Sequence, residues 1–352
     1  MKFNTKVGIV SYGAYIPLRR IKAADIAAQW GKDEQSIIRG LGIKEKSVPG
    51  ADEDTITMAV SAAQSALDKK ELTGIGAIYT GSESHPYAVK SSSAIIGEAL
   101  GIDHNYTAAD LEFACKAGSA AIQMAAGLVS SGAMPLALAI GSDTAQSRPN
   151  DALEFSAAAS AAAFVIGSDP KEIIAELLFT SSFTSDTPDF WRREGQEFPK
   201  HGARFTGEPA YFKHVLGATK GLLEKTGHKA TDFDYVVFHQ PNPKFPIEAA
   251  KILGIDPAKL KQGLLTPFIG NTYSGATPLG LASILDVAKP GQMILATSFG
   301  SGAGSDSFAI KVTDVIIEKQ NLAKKTSDFI NGEKVYLTYG EYVKHRRKLK
   351  SI

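Results

Sequence analysis

The 352-residue sequence is short of cysteine, of tryptophan and of surplus charge. Its single cysteine, Cys115, excludes an intrachain disulfide and a cysteine-rich zinc site, and fits a reducing compartment. A formal net charge of +1 gives no whole-molecule attraction to nucleic acid or to a membrane, so any anion binding must be local. The apolar runs are short and broken by Gly, Ser and Pro, and none reads as a membrane span. No signal peptide is visible before the strand-like Val7-Gly8-Ile9-Val10, and the chain reads as cytoplasmic. GxGxxG and Walker A motifs are lacking, as are HExxH and any other metal-ligand cluster. What is present is ordinary globular composition, 44% hydrophobic and 21% charged, in a chain long enough for two packed units or one duplicated one.

Strand and helix patterns alternate along the chain. Short apolar strands are predicted over residues 6–14, 75–80, 136–140, 173–179, 235–238, 293–297 and 308–312. Helical spacing marks 21–30, 55–67, 91–100, 116–131, 211–226, 247–253 and 277–287. Residues 157–166 are predicted as a small-residue helical turn running into a strand. Residues 180–209, with Trp191, Arg192 and Arg193, read as an excursion on the sheet surface, and His345-Arg346-Arg347-Lys348 reads as solvated tail. One order occurs twice. Ile78-Tyr79-Thr80 followed by GSES matches Val236-Val237-Phe238 followed by HQPN, and the strand before GSD matches the strand before SFGSG. The repeat predicts duplicated α/β halves, residues 1–168 and 169–352, whose loops meet at one cleft.

Chemistry-bearing residues collect where extended segments end. Glu83 follows the first-half strand, Cys115 ends an extended lead-in, and His239 follows the second-half strand. Singly, Cys115 is compatible with a small buried hydrophobe, His239 with a core histidine and Glu83 with a helix cap. Together they supply a nucleophile, a proton handler and a carboxylate base. The helix predicted from Lys116 would favour a thiolate at Cys115 through its N-terminal amides. Asn271, in GNTYSG, could polarise a carbonyl or occupy a turn. Ser301 and Gly302 open a loop whose N–H groups could join that of Cys115 in an oxyanion hole. Lys244, Arg204 and Arg192 could meet the phosphates of a long cofactor arm or belong to a solvated surface.

At YTGSESHPYAVKSS, DLEFACKAGSAAIQ, VVFHQPNPKFP, GNTYSGATPLGLAS and SFGSGAGSDSF the sequence resembles the thiolase superfamily, and within it the archaeal-type hydroxymethylglutaryl-CoA synthases. Cysteine, then HQPN, then the asparagine loop is shared with ketoacyl synthase III-like enzymes, whereas Glu83 favours the synthase branch. The resemblance spans nearly the whole chain. It implies a thiolase-like α/β fold, with the duplicated halves packed as αβαβα layers. It also implies that acetyl-CoA acetylates Cys115 and that Glu83 then takes a proton from the acetyl methyl group. The carbon attacks the C3 ketone of acetoacetyl-CoA, polarised and protonated by His239 and oriented by Asn271, and water releases the product. The two thioesters are substrates, and no cofactor is held permanently. Lys244 would touch CoA. A homodimer is implied, as is association with an acetoacetyl-CoA thiolase through a small zinc-containing DUF35-type protein, in the mevalonate route to isoprenoids. The competing readings are a ketoacyl synthase III-like condensing enzyme with Glu83 incidental, a Cys115–His239 thioesterase, and a non-enzymatic scaffold.

Overall fold

The computed structural model describes residues 1–67, 73–145 and 147–348. Nine strands form the main sheet: β1 (Gly8–Tyr15), β2 (Ile75–Gly81), β3 (Thr107–Leu111), β4 (Leu136–Thr144), β5 (Ala159–Gly167), β6 (Ala175–Thr184), β7 (Tyr235–Phe238), β8 (Met293–Thr297) and β9 (Gly304–Val312). Their order is β7-β8-β9-β6-β1-β5-β4-β2-β3. In the first half β2 is parallel to β3 and β4, while β4–β5 and β5–β1 are antiparallel. The second half repeats this: β7 is parallel to β8, and β8–β9 and β9–β6 are antiparallel. Among the described residues β3 alone has no counterpart. The halves join where β1 pairs with β6 through Gly8↔Glu176 and Ile9↔Ala175.

Successive strand side chains point to opposite faces, and this alternation creates the layers. Ala77, Tyr79, Ala137, Ala139, Ile294, Ala296, Phe308 and Ile310 share one core with the helices Ala117–Ser130 and Ala276–Leu285. Their neighbours Ile78, Leu138 and Ile140 face a second core beneath Thr55–Ala66 and Ser92–Leu100. Leu295 and Ala309 face a third beneath Phe212–Thr226 and Lys244–Ile252. The result is αβαβα. Every residue of Ala276–Leu285 is buried, as its continuous apolar and small-residue sequence requires.

Several expectations need correction. Residues 157–166 contain no helical turn; β5 is buried on both faces, and a buried alanine-rich strand has no periodicity to mark it. The strand predicted over 173–179 continues to Thr184 as β6, so the excursion begins later, and inside it Phe190–Trp191 pairs with Lys200–His201. A small sheet of Arg19–Lys22, Glu45–Val48 and Val335–Tyr336 brings the C-terminal segment back to the first half. The run from His345 to Lys348 is not solvated tail. Helix Tyr339–His345 buries Tyr342 and Val343 against Ile21, Ile26 and Phe155. Arg346 donates to the Thr144 carbonyl at 2.7 Å, and Lys348 donates to the Tyr342 hydroxyl at 2.7 Å. Among the described residues no helix is long and apolar enough to cross a membrane.

Candidate active site

The chain reaches Cys115 from β3 through Ala114, whose φ of 47° is left-handed backbone that a non-glycine residue adopts at a cost. Helix Ala117–Ser130 starts two residues later. Its first turn presses on its neighbours: a Cβ on Gly118 would lie 2.5 Å from the Ser274 carbonyl oxygen. That glycine lets the helix start sit against the Asn271 loop and the end of β4. Cys115 is buried, and its thiol donates to Glu83 Oε2 at 3.7 Å.

Asp143, at the end of β4, holds the Glu83 loop. It accepts from Ser82 Oγ at 3.0 Å, from Ser84 Oγ, from the Glu83 N–H at 3.3 Å and from the Ser274 N–H at 3.1 Å. Burial, then the charge of Asp143, pushes the Glu83 carboxyl well above the usual carboxylate range; the Cys115 thiol and Arg192 oppose this in part. Burial also raises Asp143, but four donors stabilise its anion, so Asp143 ionises first and Glu83 is the group held up. The thiolate expected at Cys115 is not the resting form. Burial and the carboxylates of Glu83 and Asp143 raise the thiol well above its ordinary value and outweigh the lowering by the Cys115 backbone N–H.

His239 follows β7, with its N–H on the Thr297 carbonyl at 2.9 Å and its carbonyl accepting from the Tyr211 hydroxyl at 2.7 Å. Burial pulls its pKa down to about 3, so the imidazole is neutral. Its Nδ1 is buried without a hydrogen-bond partner among the described residues, and its ring lies 6.1 Å from that of Phe299, centroid to centroid. Phe299 leads into Gly300, where a Cβ would lie 2.5 Å from the Phe113 carbonyl oxygen. Through these two residues the His239 loop is joined to the segment that carries Cys115.

Asn271 is fixed by backbone bonds to Ser156 and Ala158, and its Oδ1 accepts from the Tyr273 N–H at 3.0 Å. The oxygen serves the turn, which leaves the side-chain NH2 for a carbonyl. Gly302 cannot offer its N–H to substrate, because Asp189 Oδ1 takes it at 2.9 Å. The neighbouring Ser301 N–H is the one beside the Gly300 contact. Arg192 donates to the Glu83 carbonyl at 3.4 Å, Arg204 lies 5.4 Å from the ring of its neighbour Phe205, and Lys244 is exposed in the first turn of Lys244–Ile252.

Two site residues escaped the sequence reading. Asp143 sits in GSD and Tyr273 in GNTYSG, both at element ends that the repeat had marked. Tyr273 has a left-handed φ of 51°, packs with Cys115 and Phe190, and has a buried hydroxyl with no partner among the described residues. Burial, followed by the charges of Glu83, Cys115 and Asp143, pushes its phenol far above the ordinary value. A cavity of about 310 Å³, lined by Glu83, Ser84, Glu112, Ala114, Phe190, Trp191, Arg192 and Pro199, reaches Glu83 from the surface.

This duplicated, layered fold, with a buried thiol touching a carboxyl at its strand ends, defines an acyltransferase of the thiolase superfamily. Residues 223–312 match the family 3-Oxoacyl-[acyl-carrier-protein (ACP)] synthase III C terminal. The chain is 58% identical over 345 residues to a hydroxymethylglutaryl-CoA synthase of Methanothermobacter thermautotrophicus, covering 97% of this chain and 99% of that one. It is 59% identical, with the same coverage, to a hydroxymethylglutaryl-CoA synthase of Methanosphaera stadtmanae. A solved HMG-CoA synthase complexed with CoA has the same fold at a TM-score of 0.88 and 24% identity, over 97% of this chain and 90% of that one. The chain belongs to the hydroxymethylglutaryl-CoA synthase family.

Proposed function

We propose that this chain condenses acetyl-CoA with acetoacetyl-CoA and water to give 3-hydroxy-3-methylglutaryl-CoA, and that Cys115, Glu83 and His239 divide the work. The contact that carries the reading is Cys115 Sγ to Glu83 Oε2, 3.7 Å. In the first step Glu83 takes the thiol proton as sulfur attacks acetyl-CoA, and returns it to the departing CoA sulfur. Glu83 is then a carboxylate again, facing the acetyl group on Cys115. Its raised pKa suits removal of a proton from the methyl carbon. The resulting enolate carbon attacks the C3 ketone of acetoacetyl-CoA. The neutral imidazole of His239 donates a hydrogen bond to the forming alkoxide, a role that a low pKa permits, and the proton that Glu83 took from the methyl carbon ends on that oxygen, which leaves Glu83 a carboxylate again. The Asn271 NH2 orients the incoming thioester. The Cys115 and Ser301 N–H groups bind the oxyanion, and Tyr273 presents its buried hydroxyl to the same acyl group. Water then cleaves the thioester to Cys115. Lys244 and Arg204 remain the proposed CoA contacts, and Arg192 is assigned to the Glu83 loop.

The test is intact mass after treatment with acetyl-CoA, together with product analysis after both thioesters, for wild type, Cys115→Ala and Glu83→Gln. Cys115→Ala takes no acetyl group and makes no product. Glu83→Gln becomes acetylated, more slowly, and condenses about 10²- to 10⁴-fold less. Condensation by Glu83→Gln near the wild-type rate would place the base elsewhere and favour the ketoacyl synthase III-like reading. Release of free acetate alone would favour a thioesterase.

The resemblance also supports a homodimer and an assembly with an acetoacetyl-CoA thiolase and a small zinc-containing DUF35-type protein in the cytoplasm. The open edge of β3, with Thr107 and Ala108 exposed, suits pairing with a second copy. Light scattering of the chain alone, and co-purification with the two candidate partners, check these two statements separately.

A further inference from the structure

Beside the nucleophile lies a buried ion pair that the condensation does not consume. Lys116, the residue after Cys115, places Nζ 3.0 Å from Asp306 Oδ1, with side chains 6% and 0% exposed. Lys116 caps the first-half helix Ala117–Ser130, whereas Asp306 lies on β9 of the second half. The carboxylate also accepts from Ser119 Oγ at 3.0 Å and from Ser182 Oγ at 2.8 Å. Ser119 Oγ also lies 2.8 Å from the Lys116 carbonyl, an alternative acceptor for the same hydroxyl proton, which closes the group onto the helix start. The ammonium lies 3.9 Å from the Phe113 ring centroid. Burying such a pair adds little net stability over an apolar pair of the same volume, so stability alone gives no reason for it.

Its position gives a reason. The hairpin β8–β9 that bears Asp306 also bears the loop from Phe299 to Ala303. A Cβ on Gly300 would lie 2.7 Å from Lys116 Cγ and 3.2 Å from the Lys116 nitrogen, so this loop rests directly on the Lys116 backbone and side chain. The Cys115 N–H belongs to one half of the molecule and the Ser301 N–H to the other. An oxyanion between them needs both donors within about 3 Å of a single oxygen. We infer that the Lys116–Asp306 pair is the positioning device that sets the spacing of these donors by fastening the second-half loop to the first-half helix start. Lys116 acts through Cys115 and the loop and does not touch substrate. The inference rests on the reading of Cys115 as the acyl carrier.

Acetylation kinetics test it. Rapid quench followed by intact mass yields an amplitude, which counts competently folded protein, and a first-order rate constant at saturating acetyl-CoA, which reports donor spacing. Lys116→Met combined with Asp306→Asn removes both charges together, so no unpaired ion is buried. The double variant is expected to acetylate on the order of 10²-fold more slowly, the scale of a misplaced oxyanion donor. Lys116→Arg, which keeps a cation on Asp306, recovers most of the rate. A double variant whose rate constant equals that of wild type, whatever its amplitude, overturns the inference. If the double variant does not fold, Lys116→Gln, which keeps a donor to Asp306 without the charge, is read by the same rate constant. A wild type that takes no acetyl group on Cys115 instead sinks the acyl-carrier reading, so the two failures are told apart.

Discussion

Asp143 is fully buried and Glu83 half-buried beside it, and two neighbouring carboxylates cannot ionise alike. Asp143 keeps its charge because four donors converge on it, and that charge, added to burial, raises the Glu83 pKa. Asp143→Asn should therefore lower the Glu83 pKa and move the acid limb of the condensation step to lower pH, even where turnover falls because the loop loses bonds. A pH profile of pre-acetylated enzyme checks this, and a limb that stays put would remove Asp143 as the source. His239 carries a second pH effect. Its native pKa is about 3, against roughly 6.5 in an unfolded chain. Between those values the unfolded state binds a proton that the native state refuses, so stability present above about pH 6.5 is lost as pH falls. Between pH 7 and pH 4.5 this one group should account for about 2.5 kcal/mol of lost stability, and urea titration of His239→Gln should show that much less loss than wild type. The positions of Cys115, Glu83 and His239 were readable because each ends an extended segment. Their protonation states were not, since these depend on which distant groups surround them in a site drawn from several loops.

The C-terminal helix shows where element-scale reading stops. Tyr339–His345 has seven residues, too short for periodicity to identify, and its apolar partners Ile21, Ile26 and Phe155 are far away in the chain. Its local signal was the capping box, Thr338 with Glu341, which the charged tail obscured. What fastens the element is polar and buried. Glu154 accepts from Trp30 Nε1 at 2.9 Å, the Tyr339 hydroxyl at 3.0 Å and the Asn150 N–H at 2.8 Å, and lies 3.7 Å from Lys348 Nζ. Burial lowers Lys348 to about 8, with Glu154 opposing. Glu154→Ala leaves that ammonium buried without its counter-charge and should cost about 3–5 kcal/mol, whereas Thr338→Ala should cost about 1 kcal/mol for a lost cap. Denaturant titration of both variants decides the ranking. Equal, small losses would mean that the helix is held by its apolar face alone. The alanines of β5 failed in the opposite way: the residues were read, but small side chains buried on both faces give strand and helix the same pattern.

At the scale of the whole chain the repeat was legible because strand, loop and helix recur in one order, and the sheet repeats that order in its pairing directions. How the halves meet was not legible. The joint includes two residue pairs between β1 and β6 and a fully buried helix, Ala276–Leu285, that packs into both halves. On the proposed roles the site is one that neither half contains. Glu83, Cys115 and Asp143 precede residue 168; His239, Asn271, Ser301 and Asp306 follow it. With 1–168 and 169–352 taken as the two halves, a chain of residues 1–168 alone would expose the inner face of Ala117–Ser130, lose the strand Val335–Tyr336 from its small sheet, and leave Lys116 without Asp306. It should take no acetyl group from acetyl-CoA although it holds both the thiol and the carboxylate. Intact mass with circular dichroism on the fragment, alone and after mixing with residues 169–352, measures this. Acetylation should appear only in the mixture, and only to the extent that the two pieces assemble. A folded 1–168 fragment that acetylates at the rate of the full chain would mean that the first half builds its oxyanion hole from its own amides, and the second-half loop would then have to be assigned to the condensation step instead.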